Sequence, residues 1–195
     1  MAYDTSFYRL YNDYLRENTV RSNHDLIFRN FGQFTYPTRL DVVDLGCGLG
    51  EYRLFGQHAG YTGIDLNIEK QVPIFLKYDY HDLSFVGLLP FAPTAFVSLF
   101  SIECCHDAKT KYELYNRLFT EIPTLQYGLV GGFFYESKRN LETVGETGGI
   151  ISYQTIEDSA TFISSIFTEF RAHIRTPSKM FGEDVVEVWK ILARR

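Results

Sequence analysis

Apolar and polar positions change rhythm several times along the chain, and each change predicts an element. Phe7, Leu10, Tyr11 and Tyr14 recur at helical spacing with Arg9, Asn12, Asp13 and Arg16 opposite, which predicts an amphipathic helix over residues 5–17. A second helix is expected near 22–31, opened by Ser22 and Asp25 in a capping-box arrangement. Beyond Pro37 the helical rhythm gives way to LDVVDL at 40–45, a short apolar run ending in an acid, as a strand buried on both faces would read. Residues 51–59 then predict a short helix ended by Gly60. YTGIDL at 61–66 and VPIFLKYD at 72–79 read as the second and third strands.

AFVSLFSI at 95–102 predicts a fourth strand and GLVGGFFYES at 128–137 a fifth, with the pair Gly131 and Gly132 unusual inside it. Between them Tyr115, Leu118, Phe119 and Ile122 stripe a helix that begins after Asp107. A polar, glycine-bearing stretch at 138–154 leads to another expected helix over 155–169, opened by Thr155 and Asp158 and striped by Ile156, Ala160, Ile163 and Phe167. From Phe170 the period drops to two, with Ala172 and Ile174 alternating with Arg171, His173 and Arg175. A turn about Gly182 then enters DVVEVWKILA. Strands alternating with helices and closing in a hairpin specify an α/β fold, an open and mostly parallel sheet. Residues 1–35 are expected to form a helical cap and 36–195 the sheet domain, in one compact unit.

Bulk properties narrow the function classes. At 195 residues, 45% hydrophobic and 22% charged, the chain suits one folded domain with a sizeable core. The net charge of -5 and the lack of any basic run make nucleic acid an unexpected partner. Asp4 and Arg9 interrupt the start where a secretory leader needs an apolar core, and no segment approaches membrane-span length, so a cytoplasmic protein is expected. Cys47, Cys104 and Cys105 are odd in number and two are adjacent, which suits reduced thiols in place of a disulfide framework. Zinc at Cys104, Cys105 and His106 would need a sharp bend, because adjacent side chains diverge. No metal is expected.

The chemistry is concentrated in VVDLGCGLGEY at 42–52. Gly46, Gly48 and Gly50 recur on alternate positions after Asp44, and Asp65 ends the next strand 21 residues after Asp44. An acid so placed beside a glycine turn can accept from the vicinal hydroxyls of a ribose. Counting G-x-G-x-x-G from Gly46 puts Glu51 where the third glycine belongs, which disfavours a dinucleotide pyrophosphate. The pattern D-x-G-x-G-x-G from Asp44, followed by GIDL at 63–66, resembles class I S-adenosylmethionine-dependent methyltransferases. DYHDLSF at 79–85 is similar to that family's third-strand motif, and FVSLFSIECCH at 96–106 to its fourth strand and following loop.

The resemblance implies an open Rossmann-like, mostly parallel seven-stranded sheet with helices on both faces and a C-terminal antiparallel hairpin, with S-adenosylmethionine as cofactor. Carried over position by position, it puts Asp44, Gly46, Cys47, Gly48 and Gly50 at the methionine moiety and Asp65 with Leu66 at the ribose. Asp79 and Tyr80 would border the adenine, and Ser101 the methionyl end. Asp65 and Asp79 are 14 positions apart with Pro73 between them, so the helix joining them is expected to be vestigial. Methyl transfer from a sulfonium needs chiefly an aligned acceptor, plus a base where the acceptor carries a proton. Glu103 and His106 are the candidate bases. Tyr3, Tyr8, Tyr11 and Tyr14, together with 138–154, are the candidates for acceptor selection. The expected protein is a monomer or homodimer that methylates a small molecule. The alternatives are a silent cofactor-binding regulator, a methyltransferase acting on a protein side chain and, further off, a nicotinamide oxidoreductase.

Overall fold

In a computed structural model of the protein, residues 40–48, 58–66, 75–99, 101–105, 108–135, 161–180 and 183–195 are described. The expected helices at 5–17 and 22–31, the cap at 1–35, the four N-terminal tyrosines, Gly50, His106 and the 138–154 stretch lie outside them.

The apolar runs form strands where they were expected. β1 (Leu40–Leu45), β2 (His58–Asp65), β3 (Phe75–Lys77), β4 (Ala95–Leu99) and β5 (Tyr127–Tyr135) are followed by β6 (Phe167–Met180) and β7 (Glu183–Arg194). They build one seven-stranded sheet in the order β3-β2-β1-β4-β5-β7-β6. The pairings among β1 to β5 are parallel, and β7 runs antiparallel to both β5 and β6. Val42, Val43 and Leu45 of β1 and Ala95, Phe96 and Val97 of β4 are buried, as central parallel strands require. No helix among the described residues is long and apolar enough to cross a membrane.

α1 (Ile102–Cys105) and α2 (Ala108–Glu121) follow β4. The face of α2 carrying Tyr112, Tyr115, Leu118 and Phe119 is buried. Phe96 of β4 lies 5.9 Å from the Tyr115 ring and 5.8 Å from Phe119, and Phe167 lies 5.8 Å from Phe119. Burial of each such ring contributes about 1.5 to 3 kcal/mol. Gly128 has to be glycine here, because a Cβ would stand 2.4 Å from the Phe96 ring.

Among the boundaries that differ from the sequence reading, three have a cause visible in the structure. β2 starts at His58, so 58 and 59 are strand and Gly60 lies inside it in place of ending a helix. Pairing with β1 reaches back to Leu40 opposite His58, and Asp41 and Phe91 press within 2.9 Å of where a Gly60 Cβ would stand. β4 stops at Leu99 and not at 102, because Ser98 Oγ accepts a 3.1 Å hydrogen bond from the Ile102 amide and draws the chain into α1. The helix expected over 155–169 is absent from its described part. Residues 161–166 are turn and bend, the Ser164 hydroxyl oxygen accepts from the Ile166 amide at 3.0 Å, and Phe167 opens β6 opposite Arg194. Long antiparallel pairing with β7 and stacking of Phe167 on Tyr112 outweigh the helical stripe.

Candidate functional site

Parallel pairing brings the two loop acids to one edge of the sheet. Asp44 stands opposite Gly63 of β2 and Val97 of β4, and Asp65 opposite Lys77 of β3. The crevice at these strand ends is where the winding of the sheet reverses between β1 and β4, the place where open α/β sheets bind ligands.

The glycine turn has left-handed backbone at Gly46 (φ +70°) and Gly48 (φ +53°), which other residues enter only with strain. The amides of Gly46 and Cys47 donate to the Ile64 carbonyl at 2.8 and 3.1 Å, folding the turn back on β2. The Gly48 amide donates to Asp65 Oδ2 at 2.9 Å, so the acid 17 residues away fixes the loop. Gly46 is bare for a second reason: a Cβ there would lie 2.0 Å from Ser101 Oγ. The bareness of Gly63 likewise makes room for Cys47 Sγ and the Phe75 ring, at 2.7 and 2.6 Å from an added Cβ.

Asp44 is 2% exposed and accepts from the Tyr61 hydroxyl at 2.7 Å. Burial is the dominant influence on it. Together with the nearby Asp65 charge, and against the Tyr61 hydrogen bond, burial pushes its carboxyl up to about 7. Cys47 is raised well above an ordinary thiol by burial and by the Asp44 and Asp65 charges, so it has no thiolate character near neutral pH. Leu66 is 42% exposed at the rim.

Asp79 Oδ1 accepts from the His81 amide at 2.9 Å and meets His81 Nδ1 at 2.5 Å. Partial burial opposes ionisation of Asp79, but the two His81 hydrogen bonds and the ring charge hold it below the usual carboxylate range. Tyr80 stacks on His81 with ring centroids 4.5 Å apart, and its hydroxyl lies 3.1 Å from Ser101 Oγ. The structure therefore gathers Asp44, Gly46, Cys47, Gly48, Asp65, Leu66, Asp79, Tyr80 and Ser101 around the ends of β1 to β4. Gly50 and His106 lie outside the described residues.

Glu103 departs from the sequence reading. It is fully buried and turned into the core. Lys111 Nζ and Lys190 Nζ each lie 3.0 Å from its Oε2, and the Tyr115 hydroxyl donates to Oε1. Burial raises its pKa, but the two ammonium groups and the Tyr115 bond prevail and hold the carboxylate at about 2. So weak a base, sealed from solvent, is unsuited to accept a proton near neutral pH. Lys190 also donates to the Tyr112 hydroxyl at 3.3 Å, and Tyr112 in turn donates to Glu169. The sequence reading missed Tyr61, Lys111 and Lys190. A signal for Lys111 was present, since it lies on the apolar stripe of α2 one turn before Tyr115. Among the described residues no group of three or more His, Cys, Asp or Glu side chains is placed to hold a metal ion.

The strand order, the antiparallel β7 and the acid-ended strands around a glycine turn define the Rossmann-like fold of class I methyltransferases. Solved structures of low sequence identity share this fold. The magnesium protoporphyrin IX methyltransferase of Synechocystis with bound S-adenosylhomocysteine matches with a TM-score of 0.63 at 12% identity, covering 98% of this chain and 95% of that one. The N-methyltransferase NodS of Bradyrhizobium japonicum, in complex with S-adenosylhomocysteine, matches with a TM-score of 0.62 at 13% identity over 98% and 99%. An S-adenosylmethionine-dependent methyltransferase from Mesorhizobium loti matches with a TM-score of 0.53 at 15% identity over 82% and 94%. No protein-family model matches the sequence, and no curated protein matches it significantly.

Proposed function

We propose that the chain is an S-adenosylmethionine-dependent methyltransferase acting on a small-molecule acceptor. The observation that carries this reading is the bond from the Gly48 amide to Asp65, which sets a buried carboxylate and a left-handed glycine turn side by side at the switch point of the sheet. The residues fit the cofactor: acids suited to ribose hydroxyls and a cationic sulfonium, bare main chain, and an aromatic wall at Tyr80. Bound there, S-adenosylmethionine supplies an electrophilic methyl group.

In this reading Asp44 and the backbone of Gly46, Cys47, Gly48 and Gly50 face the methionine moiety, Asp65 and Leu66 the ribose, Asp79 and Tyr80 the adenine, and Ser101 the methionyl end. Alignment of the acceptor provides most of the acceleration. His106 takes the acceptor proton where there is one, and Glu103 serves as a buried strut. The net charge of -5 supports a small acceptor over nucleic acid. The reading includes a cytoplasmic monomer or homodimer, with residues 1–35 as a cap of the sheet domain.

Calorimetric titration with S-adenosylhomocysteine tests the cofactor assignment. Wild type should bind, Asp65→Ala should bind about 1 to 3 kcal/mol more weakly, and NADH should give no heat with either. Binding of NADH in place of S-adenosylhomocysteine would overturn it. The engagement of Glu103 by two lysines favours a second reading, a cofactor-binding regulator without turnover. Transfer of label from methyl-labelled S-adenosylmethionine into a metabolite pool would decide for the enzyme.

A further inference from the structure

One contact in the crevice reaches further than ligand holding requires. Tyr80 follows the end of β3 at Lys77 by three residues, yet its hydroxyl meets Ser101, which lies beyond the end of β4 at Leu99. β2 and β1 separate those two strands, a span of about 14 Å at the usual spacing of about 4.8 Å. The short segment after β3 and the Tyr80 ring together cross the end of β1. Tyr80 Cε1 lies 3.5 Å, and Ser101 Oγ 2.0 Å, from the point a Gly46 Cβ would occupy. Only glycine at 46 lets the two hydroxyls meet there.

Both ends of this bridge are braced. On one side His81 stacks on Tyr80 and is itself bonded to Asp79. On the other, Ser101 sits between Ser98, whose hydroxyl holds the Ile102 amide, and Glu103, which two buried lysines fix. A bond that joins two braced segments is a physical route by which a displacement in one can reach the other, and coupling along it is a matter for measurement.

We propose that the Tyr80–Ser101 hydrogen bond is a latch coupling the cofactor crevice to the segment after β4, so that filling the crevice further stabilises residues 101–105 in the position that receives the acceptor. Tyr80 and Ser101 are then positioning residues as well as walls of the crevice. The inference rests on the cofactor reading above.

Amide hydrogen exchange of the full chain, with and without saturating S-adenosylhomocysteine, tests it. In wild type the ligand should slow exchange about tenfold both in 44–48 and in 101–105. Tyr80→Phe removes one oxygen and keeps the ring. At saturation it should retain the slowing in 44–48 and lose most of it in 101–105. Ser101→Ala should do the same, and the double variant should add nothing further, because the two hydroxyls act through one bond. Should Tyr80→Phe bind too weakly to saturate, Ser101→Ala gives the same reading from the other partner. Full wild-type slowing in 101–105 in either single variant would overturn the latch while leaving the cofactor reading intact. Failure of wild type to bind S-adenosylhomocysteine would overturn both.

Discussion

Asp44 and Glu103 are both sealed from solvent, 2% and 0% exposed, and the protein treats them in opposite ways. Glu103 sits between two lysine ammonium groups and a tyrosine hydroxyl, which hold it ionised down to about 2. Among the described residues, Asp44 has the Tyr61 hydroxyl and a second carboxylate as neighbours, and its pKa rises to about 7. The first cluster gives its carboxylate two cations and ties α1, α2 and β7 into one core. The second holds its proton more tightly instead, with no cation beside it among the described residues, and it lies beside the glycine turn. The contrast, a buried acid with no cation beside it among the described residues, is what singles out the Asp44 crevice as the candidate site.

The largest break in this comparison is Glu103→Ala. It strands two ammonium groups in the core and should cost about 3 to 5 kcal/mol in urea-induced unfolding. A loss under about 1 kcal/mol would mean that the cluster is not the anchor described.

The two acids should also respond to pH with opposite sign. Glu103 is depressed in the folded state, so its contribution is present above 4.5 and disappears as pH falls from there through about 2. Asp44 is raised in the folded state, so the folded protein holds the proton more tightly, and stability declines as pH rises from 3.8 through about 7. Asp44→Asn cannot titrate. Relative to wild type it should gain about 1 to 3 kcal/mol between pH 5 and 8, measured by unfolding at several pH values. A constant difference across that range would remove the contrast.

Tyr61→Phe should cost about 1 to 2 kcal/mol by depriving a buried carboxyl of its donor. Lys109→Ala sets the lower bound, because the 3.9 Å pair with Glu113 on the outer face of α2 is exposed and should change stability by less than about 0.5 kcal/mol.

Much of this was legible in the sequence because central parallel strands announce themselves. β1 and β4 are short and mostly apolar, with Val42, Val43 and Leu45 in one and Ala95, Phe96 and Val97 in the other, and the glycine turn with its acid partner follows from spacing. Elements settled by distant partners were harder to read. Ile163 and Phe167 fall on a helical stripe, yet Phe167 pairs with Arg194 and stacks on Tyr112, contacts that no local window contains. Lys190 reads as a surface residue in VWKIL because lysine is rarely buried. Its burial depends on a carboxylate 87 positions earlier. The fate of Glu103 was hidden for the same reason: a motif places a residue in a loop but does not say which way its side chain turns.

The position of β7 bears on how the protein is made. It follows β6 in the sequence yet lies between β5 and β6 in the sheet. On the ribosome, β5 therefore emerges with one edge open and stays so until residues 183–194 leave the exit tunnel. The same strand delivers Lys190, so closure of the sheet and arrival of the second cation at Glu103 come together as one late step. Until then the nascent chain presents an unpaired edge that a chaperone would have to shield.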